Sequence, residues 1–248
     1  MKGTSLSIVG LIPNLVTILA LMTGFISVYF ALSNHWESSI LCICISGILD
    51  VVDGRLARLL KVTSSLGIEL DSLSDLVSFG VSPALVWYLW MTHNSNHNLY
   101  IWCAATFYIA CSAVRLARFN LFSHKIYEIK NDLIRQRFFF GVPVPIGGLY
   151  IILPIILNSL MPKIKFILNW KWSFFYVILI GALLASRIPT FALKSIKINK
   201  EYIWIVLLAF VLLICLFSLY PYYLICTFMC CYTFSIIFSI LSFHKLSK

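Results

Sequence analysis

At 248 residues, with 61% hydrophobic and 11% charged side chains and a formal net charge of +10, the chain lies far from the balance of a soluble globular protein. Its apolar runs approach or exceed the length that crosses a bilayer, so the expected fold class is all-α: a polytopic helical membrane protein. The positive charge does not point to nucleic acid, because the basic residues alternate from loop to loop and are not gathered on a soluble domain.

The apolar pattern predicts about eight spans, roughly 11–31, 38–60, 70–91, 99–117, 142–161, 172–189, 203–219 and 222–243. The first follows a short polar start and runs on without a small-residue cleavage site, so no cleavable signal peptide is expected. His93-Asn94-Ser95-Asn96-His97 reads as a polar outer loop without helical support, and no metal is expected on its two histidines. The connection 118–140 is the longest polar one and too charged to bury a core of its own, so 1–248 reads as a single domain. Its mixture of Phe119, Phe122, Tyr127, Lys130, Arg135 and Arg137 suits either an amphipathic segment at the lipid interface or a solvated loop. Pro143 and Pro145 open the fifth span, where a missing N–H does least harm. Tyr220-Pro221 separates the last two spans, as a tight hairpin or as the break in one long helix. Cys42, Cys44, Cys103, Cys111, Cys215, Cys226, Cys230 and Cys231 all fall in spans, without metal-finger spacing, and read as small apolar fillers.

Placing the N-terminus inside leaves only Lys163, Lys165 and Lys171 of the loop cations outside, which is the orientation that charge asymmetry favours. The expected location is a bacterial cell (inner) membrane with the active site facing the cytoplasm. The cytoplasmic loop cations also sit where anionic lipid headgroups attract them.

Carboxylates within apolar segments are costly and usually functional, and four occur close together: Asp50, Asp53, Asp71 and Asp75. Asp50, Asp53, Gly54, Ala57 and Arg58 share one helix face, and Gly67, Asp71 and Asp75 share a face on the next. Two facing helices would therefore bring four carboxylates together, where they repel unless a cation neutralises them. Oxygen-only ligands favour a hard divalent ion, Mg²⁺ or Mn²⁺, and four carboxylates suffice for two such ions. Gly54, Ala57 and Gly67 remove bulk from the same face, which would let a diphosphate and its nucleotide approach the backbone, while Arg58 can neutralise a phosphate oxygen. The competing reading pairs Asp50 and Asp53 with Arg55 or Arg58 at an interfacial helix end, and uses the small residues for close helix packing.

Asp53-Gly54-x2-Ala57-Arg58-x8-Gly67-x3-Asp71-x3-Asp75 resembles the signature of the CDP-alcohol phosphatidyltransferases at every fixed position, with Asp50 as the preceding acidic residue. Ile12-Pro13-Asn14-Leu15-Val16-Thr17, the run from Leu70 to Ala84, Arg115-Leu116-Ala117-Arg118-Phe119-Asn120 and Phe140-Gly141-Val142-Pro143-Val144-Pro145 are similar to the membrane-type phosphatidylserine synthases of that family. Ala20 departs from the pattern, standing where many relatives carry Asn.

The resemblance implies a helical membrane enzyme, commonly a homodimer, that transfers a phosphatidyl group from CDP-diacylglycerol to L-serine. It assigns Asp50, Asp53, Asp71 and Asp75 to the metals, with Asp75 also the candidate base. Gly54, Ala57, Arg58, Gly67 and Thr17 are assigned to the CDP moiety, and Arg115, Arg118 and Asn120 to the acceptor or phosphate pocket. Glycerol 3-phosphate or an inositol phosphate as acceptor, a membrane prenyltransferase and a cation channel or carrier are the alternatives. A phosphorylated acceptor would want more cationic side chains, a prenyltransferase two acidic motifs on separate helix pairs, and a channel has no reason to bind CDP.

Overall fold

The apolar runs fold as helices in the computed structural model, which describes residues 8–62, 64–95, 98–125, 138–163, 168–186, 188–191, 204, 208, 212, 215–217 and 219–246. Its helices are α1 (Ile8–Leu32), α2 (Trp36–Leu59), α3 (Ser65–Asp75), α4 (Ser82–Asn94), α5 (Asn98–Lys125), α6 (Val144–Leu160), α7 (Trp170–Ala185) and α8 (Pro221–Leu246). A π-helical segment, Leu76–Val81, joins α3 to α4 without a break.

The chain divides into two compact units, Met1–Asn120 with Pro143–Ala185, and Leu121–Val142 with Ser186–Lys248. In the first, α1 packs against α2, α3, the π segment and α4, while α6 packs against the π segment, α4 and α7. The sequence of α1 explains its central place. Thr17, Ala20, Gly24, Ser27 and Ala31 recur at steps of three and four and are buried, so neighbouring backbones can come close. Ser46 and Ser78 both donate to the Ala20 carbonyl, at 2.8 and 3.3 Å, and Ser39 donates to the Ser27 carbonyl at 2.8 Å. Leu15, Leu19, Met22, Phe25 and Tyr29 form the opposite, exposed stripe, as a lipid-facing surface requires.

Among the described residues, α1, α5 and α8 contain helices long and apolar enough to cross a membrane, at Leu11–Leu32, Asn98–Leu121 and Pro221–Ser239. Helices α6 and α7 are shorter apolar helices. The expected spans 38–60 and 70–91 are helical as well, but α2 carries Glu37, Asp50, Asp53, Arg55 and Arg58, and the other contains the π segment. Most of the expected span 203–219 lies outside the described residues, and Tyr220 is a one-residue interruption before Pro221 opens α8. His93 differs from its expected place in a loop: it lies in the last turn of α4 and meets the Trp36 ring edge-on at 6.2 Å. Pro143 caps α6 and Pro145 lies in its first turn, where neither proline removes a helical hydrogen bond. All eight cysteines are free thiols.

In the second unit, a short antiparallel pair joins β1 (Phe138–Phe140) to β2 (Pro189–Phe191), an addition to the expected all-helical architecture. Gly141 follows β1 at φ 87°, a backbone region suited to glycine, and its N–H donates to the Ile188 carbonyl at 2.8 Å. Of the connection 118–140, residues 126–137 lie outside the described residues.

Candidate active site

The turn between α2 and α3 sets the geometry of the acidic residues. Helix α2 closes with Lys61 in the left-handed region at φ 54°, its N–H donating to the Arg58 carbonyl at 3.3 Å and that of Val62 to the Ala57 carbonyl at 3.1 Å. This double closure satisfies helix-end carbonyls and turns the chain sharply. Ser64, in extended conformation, then accepts the Gly67 N–H at 3.0 Å and caps the start of α3. Both helices lean on α1, and Ser74 fastens α3 to it by donating to the Thr17 carbonyl at 3.1 Å.

One carboxylate oxygen from each of Asp50, Asp53 and Asp71 lies within 4.8 Å of the others. Asp53 is only 3% exposed, and both its oxygens are buried without a hydrogen-bond partner. Thr17 lies beside that carboxylate, but its hydroxyl proton goes to the Pro13 carbonyl at 3.1 Å. Asp75 stands outside the triple and turns its carboxyl group to Asp50 at hydrogen-bonding range, with Arg115 close by. Carboxylates so near repel one another, and a buried, unpartnered one is strongly unfavourable. A cation among them removes both penalties, and the oxygen-only donor set fits a hard divalent ion.

Residues 10–183 match the family model of the CDP-alcohol phosphatidyltransferases. The chain belongs to that family. It is 33% identical over 196 residues to a protein of Mycobacterium leprae (strain TN), a match that spans 77% of this chain and 62% of the relative. A Helicobacter pylori (strain J99) protein is 32% identical over 200 residues, covering 80% of this chain and 79% of the relative. A Methanocaldococcus jannaschii protein is 33% identical over 207 residues, covering 77% and 91% respectively. All three carry the name CDP-diacylglycerol–serine O-phosphatidyltransferase.

The remaining signature residues of this CDP-alcohol phosphatidyltransferase divide by environment. Gly54 faces open space, a Cβ there meeting only the tip of Arg58 at 3.8 Å. Arg58 is exposed and lies back along α2, its Nε donating to the Gly54 carbonyl at 2.8 Å. Ala57 is half-buried on the same helix. Gly67 is different: a Cβ would stand 2.9 Å from Asn14 Oδ1 and 3.1 Å from Ser64 Oγ, so close packing of α3 on α1 already demands glycine. Asn14, within Ile12–Thr17 and buried on α1, is therefore a neighbour of the site to which the resemblance assigns no role.

The three residues from α5 also separate. Arg115 stacks over the Phe119 ring, 5.1 Å from its centroid, and lies near enough to Asp75 for its charge to act on that carboxyl group. Asn120 exchanges hydrogen bonds with Ser72, whose hydroxyl lies 3.0 Å from Asn120 Nδ2, next in sequence to Asp71. Arg118 instead donates from Nη1 to the Ala185 carbonyl at the end of α7, a helix-end tie that the resemblance does not foresee. The π segment after Asp75 is also unforeseen, although Pro83 is its sequence signal.

Proposed function

We propose that this chain transfers the phosphatidyl group of CDP-diacylglycerol to the hydroxyl of L-serine, giving phosphatidylserine and CMP. The observation that carries the reading is the buried, unpartnered carboxylate of Asp53 within a cluster completed by Asp50 and Asp71. The names of the relatives support serine as acceptor. In this reading Asp50, Asp53, Asp71 and Asp75 hold Mg²⁺ or Mn²⁺, with two ions as the complete set. The bound ions would supply positive charge to the diphosphate, where negative charge develops on the departing CMP.

The chain's own groups do the rest. Open Gly54 and half-buried Ala57 leave room for the nucleotide diphosphate against α2, and the exposed Arg58 fork swings from Gly54 to a phosphate. Gly67 and Thr17 hold α3 and α1 around the CDP moiety. Asp75 takes the proton of the serine hydroxyl as that oxygen bonds to the phosphatidyl phosphorus, and the bond from phosphorus to the CMP oxygen breaks. Arg115, close to Asp75, and Asn120, bonded to Ser72, line the acceptor side. Arg118 is tied to Ala185, which leaves this pocket fewer cations than a phosphorylated acceptor would want.

A cytoplasm-facing site in a bacterial inner membrane suits these substrates, because serine and the nucleotide come from water while the acyl chains stay in lipid. Residues 1–248 act as one catalytic domain in this reading, and a homodimer is its assembly. The deciding experiment is an acceptor panel: purified protein, CDP-diacylglycerol and Mn²⁺ or Mg²⁺ with serine, glycerol 3-phosphate or inositol phosphate, scoring lipid product and CMP. Serine-dependent CMP release is the expected result. Release with a phosphorylated acceptor and not with serine would replace the acceptor, and no release with any would reject the reading.

A further inference from the structure

Asp75 is the last residue of α3, and the π segment begins at the next position. Pro83 explains why the helix widens there. In an unbroken α-helix the Phe79 carbonyl would accept the N–H of residue 83, but proline has none and its ring crowds that carbonyl. The backbone responds with a wider turn, in which the Ser82 N–H reaches back five residues to the Val77 carbonyl.

The displaced Phe79 carbonyl is enclosed. A Cβ on Gly148 of α6 would lie 3.0 Å from its oxygen, so the α6 backbone covers that side. Tyr108 of α5, itself fully buried, donates its hydroxyl to the same oxygen at 2.9 Å. One turn further along α5, Ser112 Cβ would meet a Cβ on Gly80 at 3.2 Å. Helix α5 therefore grips the π segment at two successive levels.

The same compensation occurs a second time without a π turn. Pro154 denies a donor to the Tyr150 carbonyl within α6, and the Tyr176 hydroxyl supplies one at 2.7 Å. Only the Tyr108 bond falls on the segment that directs Asp75.

We propose that Tyr108 is a positioning residue for the acidic site: its hydroxyl replaces the donor that Pro83 lacks, fixing the π register and with it the approach of Asp75 to Asp50. A π turn uses more residues than an α turn, so a change of register rotates α3 relative to α4. Helix α4 is anchored by buried Trp87, Trp90 and Met91, whereas α3 buries only Ser74, so the rotation falls mainly on α3 and its two aspartates. The inference rests on the reading of Asp75 as base given above.

The test compares full-length Tyr108→Phe and Tyr176→Phe in lipid nanodiscs, since each loses one hydroxyl-to-carbonyl bond beside a proline. Tyr108→Phe is expected to lower kcat about tenfold, to leave KM for CDP-diacylglycerol within about twofold, and to speed amide exchange in 76–84 about tenfold. Tyr176→Phe should leave kcat and that exchange within about twofold of the parent. Wild-type turnover and exchange in Tyr108→Phe, or an equal fall of kcat in Tyr176→Phe, would overturn the inference. Mn²⁺ titration of the parent and Asp53→Asn by electron paramagnetic resonance tests the acidic site separately. Weaker Mn²⁺ binding in Asp53→Asn than in the parent is the expected result; equal binding by the two, or none by the parent, would overturn the metal reading, while the exchange data still decide the role of Tyr108.

Discussion

Asp50 on α2 and Asp75 at the end of α3 turn their carboxyl groups toward each other at hydrogen-bonding range. Two ionised carboxylates repel at that range, so the contact needs a shared proton or a neutralising cation. The same Asp50 also belongs to the triple with Asp53 and Asp71. It thus links the group proposed to take the serine proton to the groups proposed to hold metal, and substitutions can separate the two roles.

Asp50→Asn, Asp53→Asn and Asp71→Asn are each expected to lower turnover by about 10²-fold or more, near 3 kcal/mol of transition-state stabilisation. Asp53→Asn carries a second signature. Its carboxylate oxygens are buried without partners, so neutralising it should leave the melting temperature in chelator unchanged or higher. CMP release and thermal melting measure the two effects. Activity of all three variants within about threefold of the parent would reject the acidic cluster as the site.

Arg58→Lys keeps the charge but loses the planar fork that can hold two phosphate oxygens. Because Arg58 is exposed and bonded to its own helix, the substitution should not disturb the fold. The expected result is a KM for CDP-diacylglycerol raised about tenfold with unchanged melting. Unchanged affinity in a binding titration would remove Arg58 from the CDP site and leave it as a cation at the end of α2.

Gly67→Ala should act through packing. The added Cβ would stand 2.9 Å from Asn14 Oδ1 and 3.1 Å from Ser64 Oγ, and Asn14 is buried on α1. Overpacking of this kind costs about 1–3 kcal/mol, read as a lower melting temperature with reduced turnover. Asn14→Ala in the same chain removes the closer obstacle and should restore melting. A single Gly67→Ala variant as stable and active as the parent would show that α3 does not need this approach to α1.

The approach of Asp50, Asp53 and Asp71 is legible in the sequence because it is helical arithmetic: 3.6 residues per turn and one reversal bring them together, with Asp75 one turn further along α3. What escaped depends on partners distant in sequence. The tie from Arg118 to the Ala185 carbonyl and the pairing of Phe138–Phe140 with Pro189–Phe191 have no local periodicity to announce them. In the sequence Gly67 reads as room for a ligand, and only the packing of α1 reveals Asn14 there. The π segment is an intermediate case. Pro83 marks the place where an α-helix cannot continue undisturbed, but the widening of the turn and the Tyr108 bond that accompanies it require the fold.

Asp75→Asn separates base from ligand. Asp75 lies outside the compact triple yet touches Asp50, so its loss need not dismantle metal binding by Asp50, Asp53 and Asp71. If it is chiefly the base, the variant keeps CDP-diacylglycerol binding in the presence of Mn²⁺ within about threefold and loses about 10²-fold or more in single-turnover rate. The reason is that proton removal matters in the transition state and contributes little to ground-state binding. A paired binding titration and single-turnover assay reads both quantities on one preparation. Loss of nucleotide-lipid binding in parallel with rate would make Asp75 primarily a metal ligand, and would move the search for the base to another group near the serine hydroxyl.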